Sequence, residues 1–136
     1  MVLQRDTTVT FWGQSIPLSN VQLHPSWSQK ITTKSDSNGF WKIQLLTTKD
    51  QKAHTLTIKS GNDKIVIKEI LMGEVWLASG QSNKEMNFDY CCNKTDSSEQ
   101  ILSNDIFSSI RMFNVEKDYS LIPSSNIRGR WIRAIK

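Results

Sequence analysis

The Asn-Gly pair in Asp36-Ser37-Asn38-Gly39 constrains this chain more than any other local feature. Asn and Gly tolerate the positive φ angles of a tight hairpin turn, whose twist matches that of paired strands. The segment after it, Phe40-Trp41-Lys42-Ile43-Gln44-Leu45, alternates Trp41, Ile43 and Leu45 with polar residues, and Lys30-Ile31-Thr32-Thr33 before it is β-rich. The same pattern recurs on either side. Thr8-Val9-Thr10-Phe11-Trp12 ends at Gly13, and a further strand is expected around Val21-Gln22-Leu23. His54-Thr55-Leu56-Thr57-Ile58-Lys59 alternates, then turns at Ser60-Gly61-Asn62-Asp63 into Lys64-Ile65-Val66-Ile67-Lys68. Strands of about six residues with regular turn punctuation predict a small antiparallel β-sandwich over residues 1–70, all-β and jelly-roll or immunoglobulin-like. This half carries no helical period.

The pattern changes at Leu71. Ile70-Leu71-Met72-Gly73-Glu74-Val75-Trp76-Leu77-Ala78 is a nearly continuous apolar run, as expected of a strand buried on both faces. Ser79-Gly80-Gln81-Ser82-Asn83 follows at once. Thr95-Asp96-Ser97-Ser98-Glu99-Gln100-Ile101-Leu102 predicts a helix start, with Asp96 as N-cap and Glu99 three residues on. Ser109–Val115 predicts another strand. Strand, loop, helix and strand are the opening of an α/β domain over residues 71–136. That segment has room for about two strands and one or two helices, so the domain is expected to be incomplete here.

Composition narrows the function classes. The 136 residues are 38% hydrophobic and 22% charged with six Gly and three Pro, which excludes collagen-like, low-complexity and wholly disordered chains. No apolar run approaches the roughly 20 residues of a membrane span, so no membrane partner is expected. Met1–Asp6 lacks the basic and long apolar stretches of a signal peptide. Net charge is +4, with nine Lys/Arg against five Asp/Glu up to Ile70 and eight of each beyond it. The lysines of the first half (Lys30, Lys34, Lys42, Lys49, Lys52, Lys59, Lys64, Lys68) stand singly along strands. A nucleic-acid binder shows a clustered basic stripe instead, so solvated strand faces are expected and no nucleic-acid partner is. Cys91 and Cys92 are adjacent, a spacing that rarely satisfies disulfide geometry and that matches no common metal site. They read as free thiols, with a bridge to a cysteine elsewhere left open; neither a metal nor another cofactor is expected.

A buried strand running into Ser-Gly-Gln-Ser-Asn suits a nucleophile for a physical reason. Open α/β sheets bind ligands beyond the carboxyl ends of their strands. A serine just past such an end, preceded by Gly80, exposes its hydroxyl on a tight turn, and the following backbone N–H groups face a developing oxyanion. The spacing differs from the Gly-x-Ser-x-Gly elbow of the other hydrolase fold.

Gly73-Glu74-Val75-Trp76-Leu77-Ala78-Ser79-Gly80-Gln81-Ser82-Asn83 resembles the signature of the sialate O-acetylesterase family, G-[ED]-V-W-[LF]-x-S-G-Q-S-N-M. Met1-Val2-Leu3-Gln4-Arg5-Asp6 with Val9 and Trp12-Gly13 resembles that family's M-V-L-Q-R start of the sandwich. Ile110-Arg111-Met112-Phe113 and Gly129-Arg130-Trp131 resemble its I-R-x-F and G-x-W segments, in the same order. The resemblance implies an SGNH/GDSL-type, flavodoxin-like hydrolase domain with a β-sandwich before it. It makes Ser82 the nucleophile that forms an acetyl-enzyme, with its own N–H in the oxyanion hole. Gly80, Gln81 and Asn83 become turn and oxyanion support, and Trp76 a packing residue of the strand. Lys84 departs from the family's Met. The resemblance also implies an Asp-x-x-His segment carrying the general base, and this chain has none: His24 and His54 are its two histidines, both in the first half. Met1 is then expected to be an internal methionine.

The resulting expectation is a fragment of a serine carbohydrate O-acetylesterase acting on O-acetylated sialic acid or related sugars. It is nearly inert alone, since losing triad members typically costs about 10⁴-fold or more. The alternative is a non-catalytic sugar-binding or interaction module, with Trp27 in Pro25-Ser26-Trp27-Ser28 as its exposed stacking platform and Trp12 and Trp41 in the core. The family is largely secreted, periplasmic or lysosomal, and Asn93-Lys94-Thr95 is a glycosylation sequon in a eukaryotic source; the chain itself shows no address.

Overall fold

Strand alternation becomes burial along most of the first half of the computed structural model, in which residues 1–80, 109–123 and 127–133 are described. The chain divides into two units, Met1–Val75 and Trp76–Lys136. The first holds β1 (Val2–Gln4), β2 (Thr8–Gln14), β3 (Asn20–Pro25), β4 (Ile31–Lys34), β5 (Phe40–Leu46), β6 (His54–Ser60) and β7 (Asp63–Gly73). Five of these form one sheet in the order β1-β7-β6-β3-β4, and β2 and β5 form a second. All neighbours are antiparallel except β1 and β7, which run parallel through Val2↔Leu71, Leu3↔Met72 and Gln4↔Gly73. The first sheet is therefore mixed, where the turn pattern had predicted antiparallel pairing throughout.

Both sheets contribute to one core. Val21 and Leu23 of β3, Leu56 of β6, and Ile70 and Met72 of β7 meet Trp41 and Leu45 of β5 there. Val21 and Leu23, and Ile70 and Met72, are two residues apart and Trp41 and Leu45 four, the even spacings that place side chains on one face of a pleat. Gly13 lies opposite Trp41 in the β2–β5 register, and a Cβ on it would come within 2.8 Å of the indole. Only glycine lets the ring lie across that position.

β7 fuses two segments that alternation had kept apart, Lys64–Lys68 and the apolar run from Ile70. His54 pairs with Ile70 but Leu56 pairs with Ile67, so two steps on β6 face three on β7. The surplus residue is a bulge, and Glu69 within it adopts a left-handed φ of 53°. The bulge changes which positions point inward. Ile67 packs against the core on one side of it, and Ile70 and Met72 are buried on the other. Without the extra residue, Ile67 and Ile70 would face opposite sides.

The expected strand from Ile70 to Ala78 is divided. Ile70 and Met72 belong to the first core, whereas Val75, Trp76 and Leu77 are 52%, 86% and 96% exposed. The predicted strand at Ser109–Val115 is present as β8 (Arg111–Val115), paired antiparallel with β9 (Gly129–Arg133). Phe113 and Trp131 pack across this pair with ring centroids 5.3 Å apart. Among the described residues the protein is nearly all β, and no helix is long and apolar enough to cross a membrane. The expected helix from Thr95, Cys91 and Cys92, and the Asn93 sequon lie outside the described residues.

Candidate functional site

The segment that leads to Ser82 leaves the first sheet under the grip of β1. Gly73, the last residue of β7, pairs with Gln4, and its carbonyl accepts the Arg5 N–H at 3.0 Å. The Gln4 side chain then spans two consecutive residues. Its Nε2 donates to Glu74 Oε2 at 2.8 Å, and its Oε1 accepts the Val75 N–H at 2.8 Å. Arg5 Nε donates to the other carboxylate oxygen of Glu74, also at 2.8 Å. The Gln4 amide, and after it the Arg5 guanidinium, holds the Glu74 carboxyl below the usual glutamate range; burial opposes them weakly. Gln4 is itself fixed by Thr47, whose buried hydroxyl donates to the Gln4 carbonyl at 2.7 Å and accepts the Thr7 N–H at 3.1 Å. Two stretches read separately in the sequence, Met1–Asp6 and Gly73–Val75, are thus one structural unit. No spacing rule pairs residues about seventy positions apart, so sequence reasoning missed Gln4 and Arg5 as partners of Glu74.

Past Val75 the chain is irregular and exposed through Trp76, Leu77, Ala78, Ser79 and Gly80. Trp76, expected to pack in a strand, stands in solvent here. Gln81, Ser82, Asn83 and Lys84 lie outside the described residues.

The two histidines are structural in character. His54 is 7% exposed at the start of β6, with Nδ1 3.2 Å from Ser26 Oγ and its ring edge-on to Trp27 at 5.6 Å. Ser26 Oγ also accepts the Thr55 N–H at 3.0 Å, so this hydroxyl ties the β3 end to β6. His24 lies on β3, half-buried, with its Nε2 enclosed.

Two tryptophans change places relative to expectation. Trp27 is half-buried against the core and donates its indole N–H to the Leu46 carbonyl at 3.1 Å, so it is no free platform. Trp12, expected in the core, is 68% exposed. On β2 the inward positions are Phe11 and Gly13, which leaves Trp12 on the outer face between them.

The chain is similar to known proteins over most of its length. A sialate O-acetylesterase from Mus musculus is 26% identical over 125 residues, which cover 85% of this chain and 23% of the mouse protein. The sialate O-acetylesterase of Rattus norvegicus is 25% identical over 125 residues, covering 85% of this chain and 22% of its own. The crystal structure of a carbohydrate acetylesterase from Xanthomonas citri superposes with a TM-score of 0.85 at 27% identity, covering 98% of this chain and 30% of that one. These similarities support a sialate O-acetylesterase-like family for the chain. No protein-family model matches it. The chain spans less than a quarter of the curated relatives it matches and less than a third of the solved structure.

Proposed function

We propose that the chain supplies the nucleophile-bearing segment of a serine carbohydrate O-acetylesterase. Residues 1–70 form its accessory β-sandwich, and residues 71–136 open an SGNH-type α/β hydrolase domain. Ser82 attacks the acetyl carbonyl, the sugar oxygen leaves with a proton, and water then releases acetate from the acetyl-enzyme. The Ser82 N–H, with support from Gly80, Gln81 and Asn83, stabilises the tetrahedral oxyanion.

One observation carries this reading: the signature Gly73–Asn83 sits in a chain similar to acetylesterases from three organisms. The Gln4–Glu74–Arg5 clasp adds physical support. It fixes the backbone at Val75, seven positions before Ser82, to the body of the first unit. A nucleophile gains from such anchoring because small misplacements of reacting atoms cost large factors in rate.

The proton acceptor is not among the chain's own histidines in this reading. His54 is committed to Ser26 and Trp27 within the first unit, and His24 lies on β3. The 136-residue chain alone is therefore expected to release no acetate from p-nitrophenyl acetate above buffer. The positive test replaces the matched segment of the mouse sialate O-acetylesterase with this chain and measures acetate released from O-acetylated sialic acid. A folded chimaera that releases acetate supports the proposal. One that melts cooperatively but releases none contradicts it.

A further inference from the structure

We propose that the groove where β4 hands the chain to β5 is a low-affinity binding surface for a carboxylated sugar, built on Trp12 and independent of Ser82. The two sheets part at this point. Thr33 Oγ1 reaches the Lys42 carbonyl at 3.4 Å, and beside that bridge lies an open groove of about 450 Å³, within the size range of small-ligand sites. Trp12, Phe40 and Lys42 line it from the β2–β5 sheet, and Lys34 and Asp36 from the end of β4.

Its aromatic content is unusual for solvent. Trp12 is 68% and Phe40 52% exposed, although each would contribute more to stability inside than almost any other side chain. Register places them together: Trp12 pairs with Lys42 and Gln14 with Phe40, so Trp12 and Phe40 are diagonal neighbours on one face. The platform is also rigid. Trp41, between Phe40 and Lys42, points the other way into the core and lies across Gly13. The Phe40 N–H donates to Asp36 Oδ1 at 2.9 Å, as does the Asn38 N–H at 2.8 Å. The start of the strand, which presents Phe40 and Lys42, is thereby held in place.

Charge selects the ligand. Lys34 and Lys42 enter no ion pair among the described residues, and Asp36 is the one acid in the groove, with an oxygen already accepting two backbone N–H groups. The lining thus has a net positive charge around an exposed indole. A pyranose offers an apolar C–H face to such a ring and hydroxyls to its polar rim, and a carboxylate on the sugar meets the two ammonium groups. A nucleic acid would need a longer basic track than two lysines.

The test is titration of the ¹⁵N-labelled chain with N-acetylneuraminic acid, glucuronic acid and glucose, reading the indole N–H of Trp12 and, in every variant, the backbone N–H groups of Phe40 and Lys42. Saturable shifts with a Kd of about 1–10 mM are expected for the two acids. Glucose is expected to bind about two- to fivefold more weakly, as for loss of one exposed ion pair. Lys42→Gln should weaken the acids by the same factor and leave glucose unchanged, while Lys68→Gln, on β7, changes neither. Trp12→Ala should weaken all three by about tenfold; its outer-face position leaves the core intact, which the melting curve checks. Absence of Trp12 shifts in the unmutated chain overturns the site. An equal response to glucose and the acids overturns the ligand class, and undiminished binding in a folded Trp12→Ala variant overturns the role of the indole.

Discussion

The Arg5 guanidinium and the Glu74 carboxylate, 69 residues apart in sequence, meet at 2.8 Å where the chain leaves β7 for the signature loop. Both side chains are about half exposed, so the pair anchors the backbone more than it stabilises the fold. Its pH dependence has a definite sign. The Glu74 carboxyl is held below its usual range, so the clasp's contribution is fully present above the unfolded value, about 4.3. It is lost as pH falls through the lower folded value. Glu74→Gln should therefore raise Val75 amide exchange relative to the unmutated chain at neutral pH, and the two should converge in acid. Added salt should also narrow the difference. A gap that widens in acid would contradict the assignment.

Ile70 and Leu77 test the division of the apolar run. Ile70 is fully buried and Leu77 is 96% exposed. Ile70→Ala should destabilise the chain by about 2–5 kcal/mol through lost burial and a residual cavity. Leu77→Ala should change stability by less than about 0.5 kcal/mol. Urea denaturation of the two variants measures both. Equal costs would mean that the run is buried as one strand.

Gly39, in the turn that carries the chain from one sheet to the other, and Gly61, in the β6–β7 hairpin, both have positive φ, 83° and 56°, yet they differ in surroundings. Nothing lies within 4 Å of a Cβ built on Gly61, whereas one on Gly39 collides with the Ser15 carbonyl. Gly61→Ala should cost about 1–2 kcal/mol from the left-handed conformation alone. Gly39→Ala should cost clearly more, because backbone must move as well. Denaturation midpoints rank the pair.

Thr47→Val should cost about 1–3 kcal/mol, since it leaves the Gln4 carbonyl and the Thr7 N–H without their buried partner. It should also raise Val75 amide exchange, because the Gln4 side chain loses its fixed base. Thr47→Ser, which keeps the hydroxyl, should restore most of the protection.

How far the sequence disclosed this protein depended on the range of each interaction. The Asn38-Gly39 turn and the alternation of Trp41 and Leu45 are local signals, and the strands on either side are present, but β4 and β5 join different sheets and do not form the expected hairpin. β1 was invisible because three residues make no period; it exists through its pairing with β7. The Glu69 bulge was equally hidden, since alternation cannot register an added residue, and so one eleven-residue strand read as two. Trp12 was assigned to the core because alternation gives two faces without saying which is covered. At the site, the signature around Ser82 was plain in sequence, but its support from Gln4 and Arg5 required the fold.

The most direct measurement is acetate release by the mouse chimaera and its Ser82→Ala variant, paired with mapping of a serine-reactive fluorophosphonate adduct by mass spectrometry. The expected result is an adduct on the peptide carrying Ser82, with the adduct and the activity both lost in Ser82→Ala and both retained in Ser79→Ala. Acetate release undiminished in Ser82→Ala, or an adduct on Ser79 in its place, would contradict the assignment of Ser82 as the nucleophile.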